Sequence, residues 1–305
     1  PAGRSAAGSV LNAFQSPDGL RWTARPGNPL PLPGAFDSQN LVFWDAERRH
    51  YRAYWRSFAG EVRTIATAWS RDFAHWEEIT DLTYGDAPAE QLYTNAVQPY
   101  FRAPHLYVGF PTRYLPDPSR GVNFGTTEPV FMSSRDGVRF RRWPEAVIPR
   151  TAPRDRDTNR GNYLEWGLLP APGPDRELSV YAKEGGYELG PSRLRRFTYR
   201  TDGFVSVHAA TRGEGVTRPL HFAGRALELN FRTATGGSLR VELQDAAGRP
   251  LEGFTAADCA PLRGDEISRV VRWRQHEHAG ALAGKAVRLR FLLEGANLFA
   301  LQFRP

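Results

Sequence analysis

The chain of 305 residues contains one cysteine, Cys259, and one methionine. A lone thiol excludes an internal disulfide and fits no zinc or redox spacing, so Cys259 is expected as a small buried apolar residue. Lysine is nearly as scarce, for only Lys183 and Lys285 stand among 40 basic residues. The net charge of +7 is therefore carried by arginines scattered along the chain. With no basic stripe, nucleic acid is not expected as a partner. No apolar run approaches the roughly 20 residues that a membrane-spanning helix needs, so a membrane role is not expected. Phosphate-binding loops, dinucleotide motifs, nucleophile elbows and zinc signatures are all missing, and no cofactor or metal is expected. No segment keeps a helical period for twelve residues.

What is present is a succession of short aromatic and β-branched runs bounded by Gly, Pro, Asp and Asn, the pattern of an all-β protein. A turn repeats within it: Ser16-Pro-Asp18-Gly19-Leu-Arg-Trp22, Ser70-Arg-Asp72-Phe-Ala-His-Trp76 and Ser134-Arg-Asp136-Gly137-Val-Arg-Phe140, with a fainter copy at Arg200-Thr-Asp202-Gly203-Phe204. The four aspartates stand 54, 64 and 66 positions apart, a period that suits a four-stranded antiparallel blade with long loops. Asp bonds its own backbone and Gly accepts positive φ, so these aspartates are read as structural, and the aromatic that follows is expected to pack between blades.

Strands are expected at 41–44, 51–55, 64–69 and 75–76 in one unit, at 92–97, 105–110, 129–133 and 139–143 in the next, and at 163–166, 177–181, 194–199 and 204–207 in a third. Before Ser16 there is room for a single strand, 9–14, so the reading is of a propeller seen without its first blade. The expected domains are a β-propeller over residues 1–208 and an antiparallel β-sandwich over 209–305. The sandwich strands fall at 226–230, 238–243, 266–273, 286–293 and 297–303, with turns at Gly236-Gly237 and Asp245-Ala-Ala-Gly248.

With these residues in view, the chain resembles the five-bladed propeller glycoside hydrolases, the group containing families 32 and 43, and is most similar to their uncharacterised bacterial relatives. The resemblance rests on the Asp turns, on Phe36-Asp37-Ser38-Gln-Asn40 followed by Phe43-Trp44-Asp45, and on the junction segments Arg200 to Val207, Thr217-Arg-Pro-Leu220 and Val241-Glu-Leu-Gln-Asp245. It covers nearly the whole chain. It implies cleavage of a poly- or oligosaccharide by two carboxyl groups at a central funnel, where the innermost strand of each blade presents its first residues. The implied partner is a carbohydrate, and arginine's planar fork would suit an anionic one. A secreted or periplasmic location is favoured if a signal peptide precedes the chain.

Three carboxylates are the catalytic candidates. Asp37 opens an inner strand and matches the family's inner-strand aspartate, against a plain capping role beside Ser38 and Asn40. Glu90 opens the next inner strand and is a candidate general acid, against an exposed loop glutamate. Glu165, inside the fourth inner strand and flanked by aromatics, is the alternative acid. Arg113 and Arg160 are candidates to clamp an anionic sugar, against ordinary ion pairing. Tyr93, Asn95 and Trp166 are candidates to stack on or hydrogen-bond sugar, against packing. The pair His276 and His278 has no further ligand at metal-binding spacing. A carbohydrate-binding propeller without catalysis is the second reading, and a scaffold for protein partners the third.

Overall fold

The computed structural model describes residues 2–5, 8–117, 119, 125–149, 162–171, 176–184 and 193–305. Every element of length among them is a β-strand, and the strand pairings within the sheets of 41–81, 91–146 and 207–304 are antiparallel, with an isolated parallel bridge between Thr83 and Arg139. The all-β class is therefore observed. Among the described residues no helix is long and apolar enough to cross a membrane.

Two compact units divide the chain, one formed by 1–169 and 179–197, the other by 170–178 and 198–305. The expected boundary at 208/209 falls inside the second of these. In the first unit, Leu41–Asp45, His50–Ala59, Val62–Ser70 and Glu77–Asp81 form a four-stranded meander, the blade expected there. Its two central strands bury Ala53, Tyr54, Trp55, Ile65, Ala66 and Ala68 almost completely.

The next sheet differs from expectation at its inner edge. In place of one strand over 92–97 stand two short strands, Gln91–Leu92 and Gln98–Tyr100, pairing with Thr112–Pro116 and Ala103–Gly109 respectively, with 93–97 outside either. The chain breaks at Ala96, which has φ +40. The cause lies in the preceding blade, where Gln39 Oε1 accepts the backbone N–H groups of Asn95 and Ala96 at 3.1 and 2.7 Å. A third sheet contains Tyr163-Leu164, Leu169-Pro170, Glu177–Glu184 and Arg193–Arg200. No blade edge forms at 204–207, because Val207–Val216 pairs with Val287–Arg304 from its first residue.

The Asp turns share one set of local bonds. In each of the first three copies the Ser hydroxyl donates to Asp Oδ1, and that oxygen accepts the backbone N–H groups two and three residues on. The second copy keeps this geometry although Phe73, at φ +69, stands where the others carry glycine. The third turn is also gripped by its neighbouring blade: Tyr54 Oη donates to the Gly137 carbonyl at 2.9 Å, and Arg48 donates to the carbonyl of Arg135. A Cβ on Gly137 would meet Tyr54 Oη at 2.8 Å, so glycine is required there for space as well as for its φ of +79. Phe140 packs with Tyr54, Ile65 and Tyr107, as expected of an aromatic between blades, whereas Trp22 lies 60% exposed.

In the second unit the expected separate strands are merged. Residues 226–230 and 238–243 belong to one strand, Ala226–Asp245, and 286–293 and 297–303 to another, Val287–Arg304. Gly236-Gly237 is therefore a kink within a strand instead of a hairpin, with a register shift between Thr233 and Ser238. A Cβ on Gly237 would stand 2.5 Å from the Glu294 carbonyl, so only glycine allows the approach. Leu227, Leu229 and Phe231 before the kink, and Leu239, Val241 and Leu243 after it, all bury their side chains in one core. The sandwich core is thus built from bent strands whose halves share it. Cys259 lies in this core, as expected of a small apolar residue.

Candidate functional site

Three segments that open inner strands converge in the first unit. Asn40 donates to the carbonyls of Phe36 and Ser38 at 3.0 Å each and so folds the Phe36–Asn40 segment into a tight entry. Ser38 Oγ donates to the Tyr93 carbonyl. Gln39 holds Asn95 from both sides, since the Asn95 side-chain amide donates back to the Gln39 carbonyl at 3.1 Å. Asn95 is buried and shapes the break at Ala96. Trp166 closes the third contact by donating its indole N–H to the Val97 carbonyl at 2.9 Å, while its ring stays half exposed.

Asp37 projects from this entry with its side chain 63% exposed and is held on one side by Arg56, which is only 8% exposed. Arg56 and Arg63 both lie beside the Tyr93 ring, with guanidinium carbons 5.9 and 4.8 Å from its centroid. Tyr93 in turn meets Tyr114 edge-on at 5.5 Å and Tyr163 at 6.4 Å. Glu165 follows Tyr163 on the same side of the chain two residues later. It is exposed, and its carboxylate has no side-chain partner among the described residues. The backbone N–H of Glu165 is fixed to the Tyr181 carbonyl at 2.8 Å. Asn162, at φ +65, is buried just before it. Positive φ at two residues without glycine's freedom, Ala96 and Asn162, marks backbone that the surrounding contacts hold in sparsely populated conformations.

Glu90 and Arg113 stand elsewhere. Arg113 pairs across the ladder with Leu92, a core residue, so these side chains share the face opposite to that of Gln91 and Tyr114. On that face Arg113 donates to Glu90 Oε1 at 3.0 Å and to Glu128 Oε1 at 2.5 Å. Arg142, 1% exposed, donates to Glu90 Oε2 and to the Pro88 carbonyl. Both Glu90 oxygens are thus engaged by guanidiniums, although the residue also lines a groove of about 540 Å³ with Tyr84, Pro88 and Trp143. Arg160 lies outside the described residues. Among the described residues no group of three or more His, Cys, Asp or Glu side chains is placed to hold a metal ion.

The sequence reading passed over Arg56, Arg63 and Gln39. A signal for Arg56 was available, because it follows Tyr51-Arg-Ala-Tyr-Trp55 in a strand otherwise buried along this stretch, where an arginine needs a partner. Nothing local marked Arg63 or Gln39, whose partners lie in the following blade.

No family model and no curated protein matches the sequence. Solved structures do. A family 32 β-fructofuranosidase from Bombyx mori is 11% identical, with a TM-score of 0.41 over 97% of this chain and 73% of that one. Sucrose-6-phosphate hydrolase from Lactobacillus gasseri is 11% identical, with a TM-score of 0.43 over 96% and 74%. An N-acetylgalactosamine deacetylase from F. plautii, solved with blood group B trisaccharide, is 8% identical, with a TM-score of 0.34; the chain spans 61% of its length.

Proposed function

We propose that the first unit is a glycoside hydrolase that binds a poly- or oligosaccharide where the segments 36–40, 93–97 and 162–166 meet. The observation that carries this reading is the pair of exposed carboxylates, Asp37 and Glu165, on two of the three converging segments, which also carry half-buried Tyr93 and half-exposed Trp166. Glycosidic cleavage uses one carboxyl group to protonate the leaving oxygen and one carboxylate to activate water or attack the sugar. Glu165 takes the first role, since among the described residues its exposed carboxylate has no side-chain partner. Asp37, oriented by Arg56, orients the sugar or tunes the acid beside it. Glu90 is left out of the chemistry, because a proton donor must present an oxygen to the substrate and both of its oxygens accept from arginines.

The test is reducing-end release from a panel of polysaccharides by the whole protein and by Glu165→Gln and Asp37→Asn. Loss of a general acid should lower kcat by roughly 10²- to 10⁴-fold with substrate affinity retained. Unchanged cleavage in both variants overturns the assignment. A second reading, sugar binding without cleavage, is favoured by the engagement of Glu90. It would appear as oligosaccharide binding by the unaltered protein with no reducing ends released.

A further inference from the structure

Arg56 and Arg63 sit on the paired strands His50–Ala59 and Val62–Ser70, where Phe58 faces Arg63 and Arg56 faces Ile65. Residues 56, 58 and 63 therefore share one face of the hairpin, with the two arginines diagonal neighbours. Both guanidiniums lie against the same two rings: Arg56 at 5.8 Å from Phe58 and 5.9 Å from Tyr93, Arg63 at 5.7 and 4.8 Å. Two cations thus occupy one aromatic-lined spot. Among the described residues they have a single carboxylate between them, Asp37, and it is bound by Arg56. Arg63 is held only by neutral oxygen, donating from its backbone and its Nη1 to Gln91 Oε1 at 3.1 and 2.9 Å. The Nε of each arginine is buried and has no partner among the described residues. Burial, with the charge of Arg63 added, pushes the Arg56 guanidinium below its ordinary range.

A neutral sugar can accept hydrogen bonds here but leaves the excess charge uncompensated. A planar or tetrahedral oxyanion does both, and two-point binding to a guanidinium fork adds orientation. Phe58, 45% exposed, offers an apolar flank beside the charge. Arg113, which the sequence suggested as the anion clamp, has its guanidinium satisfied by Glu90 and Glu128.

We propose that Arg56, Arg63, Phe58 and Tyr93 form a subsite for the charged substituent of an acidic sugar, a carboxylate or a sulfate ester. This rests on the reading of the neighbouring entry as a carbohydrate site. Within it, Arg63 is the specificity residue and Arg56 the link between the anion and Asp37.

Calorimetric titration of the whole protein with glucose, sodium glucuronate and glucose 6-sulfate, before and after Arg63→Gln, tests the subsite. Glucuronate or the sulfate ester should bind at least about tenfold more tightly than glucose, and the stronger of the two identifies the substituent. Arg63→Gln should remove that preference, bringing both acidic sugars to the affinity of glucose for the same variant, whereas Arg63→Lys, which keeps the charge without the fork, should retain part of it. A far-ultraviolet circular dichroism spectrum like that of the unaltered protein establishes that each variant is folded. Equal binding of glucose and both acidic sugars by the unaltered protein overturns the subsite and leaves the glycosidase reading standing. So does a preference that survives Arg63→Gln. Absence of binding by every sugar, neutral or charged, overturns both.

Discussion

Two arginine–carboxylate clusters lie within one compact unit and differ in how their charges close. In the first, Glu90, Arg113, Glu128 and Arg142 set two carboxylates against two guanidiniums, with the arginine side chains 13% and 1% exposed. In the second, Arg56 and Arg63 share the single carboxylate of Asp37, which is largely exposed. An unpartnered arginine Nε does not separate them, since Arg142 has one as well as Arg56 and Arg63. The charge count and the exposure of the acid do. A matched, desolvated cluster has little left to offer a ligand, and its members hold the sheet together. An unmatched one keeps a field and a reactive oxygen at the surface, which is what a binding site requires.

The sharpest way to break this comparison is to remove a member of the closed cluster. Arg142→Met leaves Glu90 Oε2 without its guanidinium and frees the Pro88 carbonyl, while Arg113 still holds Glu90 Oε1. The cost should therefore reach at most the ~3–5 kcal/mol of breaking a buried pair. Urea unfolding should show that loss. The double variant Arg142→Met, Glu90→Gln should recover part of it, because no uncompensated carboxylate remains.

A third contact gives the next largest effect. Asp45 is buried and accepts from Tyr107 Oη and from the backbone and guanidinium of Arg48. Burial alone would raise its carboxyl, but these hydrogen bonds outweigh it and hold the group below the usual carboxylate range. A depressed value in the folded state contributes stability that is present above the unfolded value, near 4, and is lost as pH falls through the folded value. Asp45→Asn should cost about 2 kcal/mol at pH 7 and flatten the decline in melting temperature below pH 4. An unchanged acid limb would show that Asp45 contributes nothing to it.

The smallest effect should come from the open cluster. Arg63→Gln breaks no ion pair among the described residues, so its cost in urea should stay under about 1 kcal/mol. A cost as large as that of Arg142→Met would erase the distinction between the two clusters.

Much of the scaffold was readable because its causes are local. The Ser-x-Asp turn satisfies itself within a few residues, and it forms alike at Asp18, Asp72 and Asp136 whether glycine or Phe73 takes the left-handed position. The sequence has Asp37 opening an inner strand and Glu165 lying inside one, whereas the latter strand ends at Leu164, just before Glu165. Glu90 carries the same local signature, yet it stands on the opposite strand face from Tyr114, and that difference of face comes from pairing with residues 112–116. The split at Ala96 was equally hidden, since it is imposed by Gln39 from another blade.

Side-chain alternation and turn chemistry act over two to four residues, so the all-β class and the Asp turns follow from the order of the residues alone. Which arginine meets which carboxylate is settled only in the folded chain. Guanidinium and carboxylate find each other across sheets, through register and blade contact between residues far apart in the chain, and that pairing turned Arg113 into part of the scaffold and left Arg63 with charge to spare.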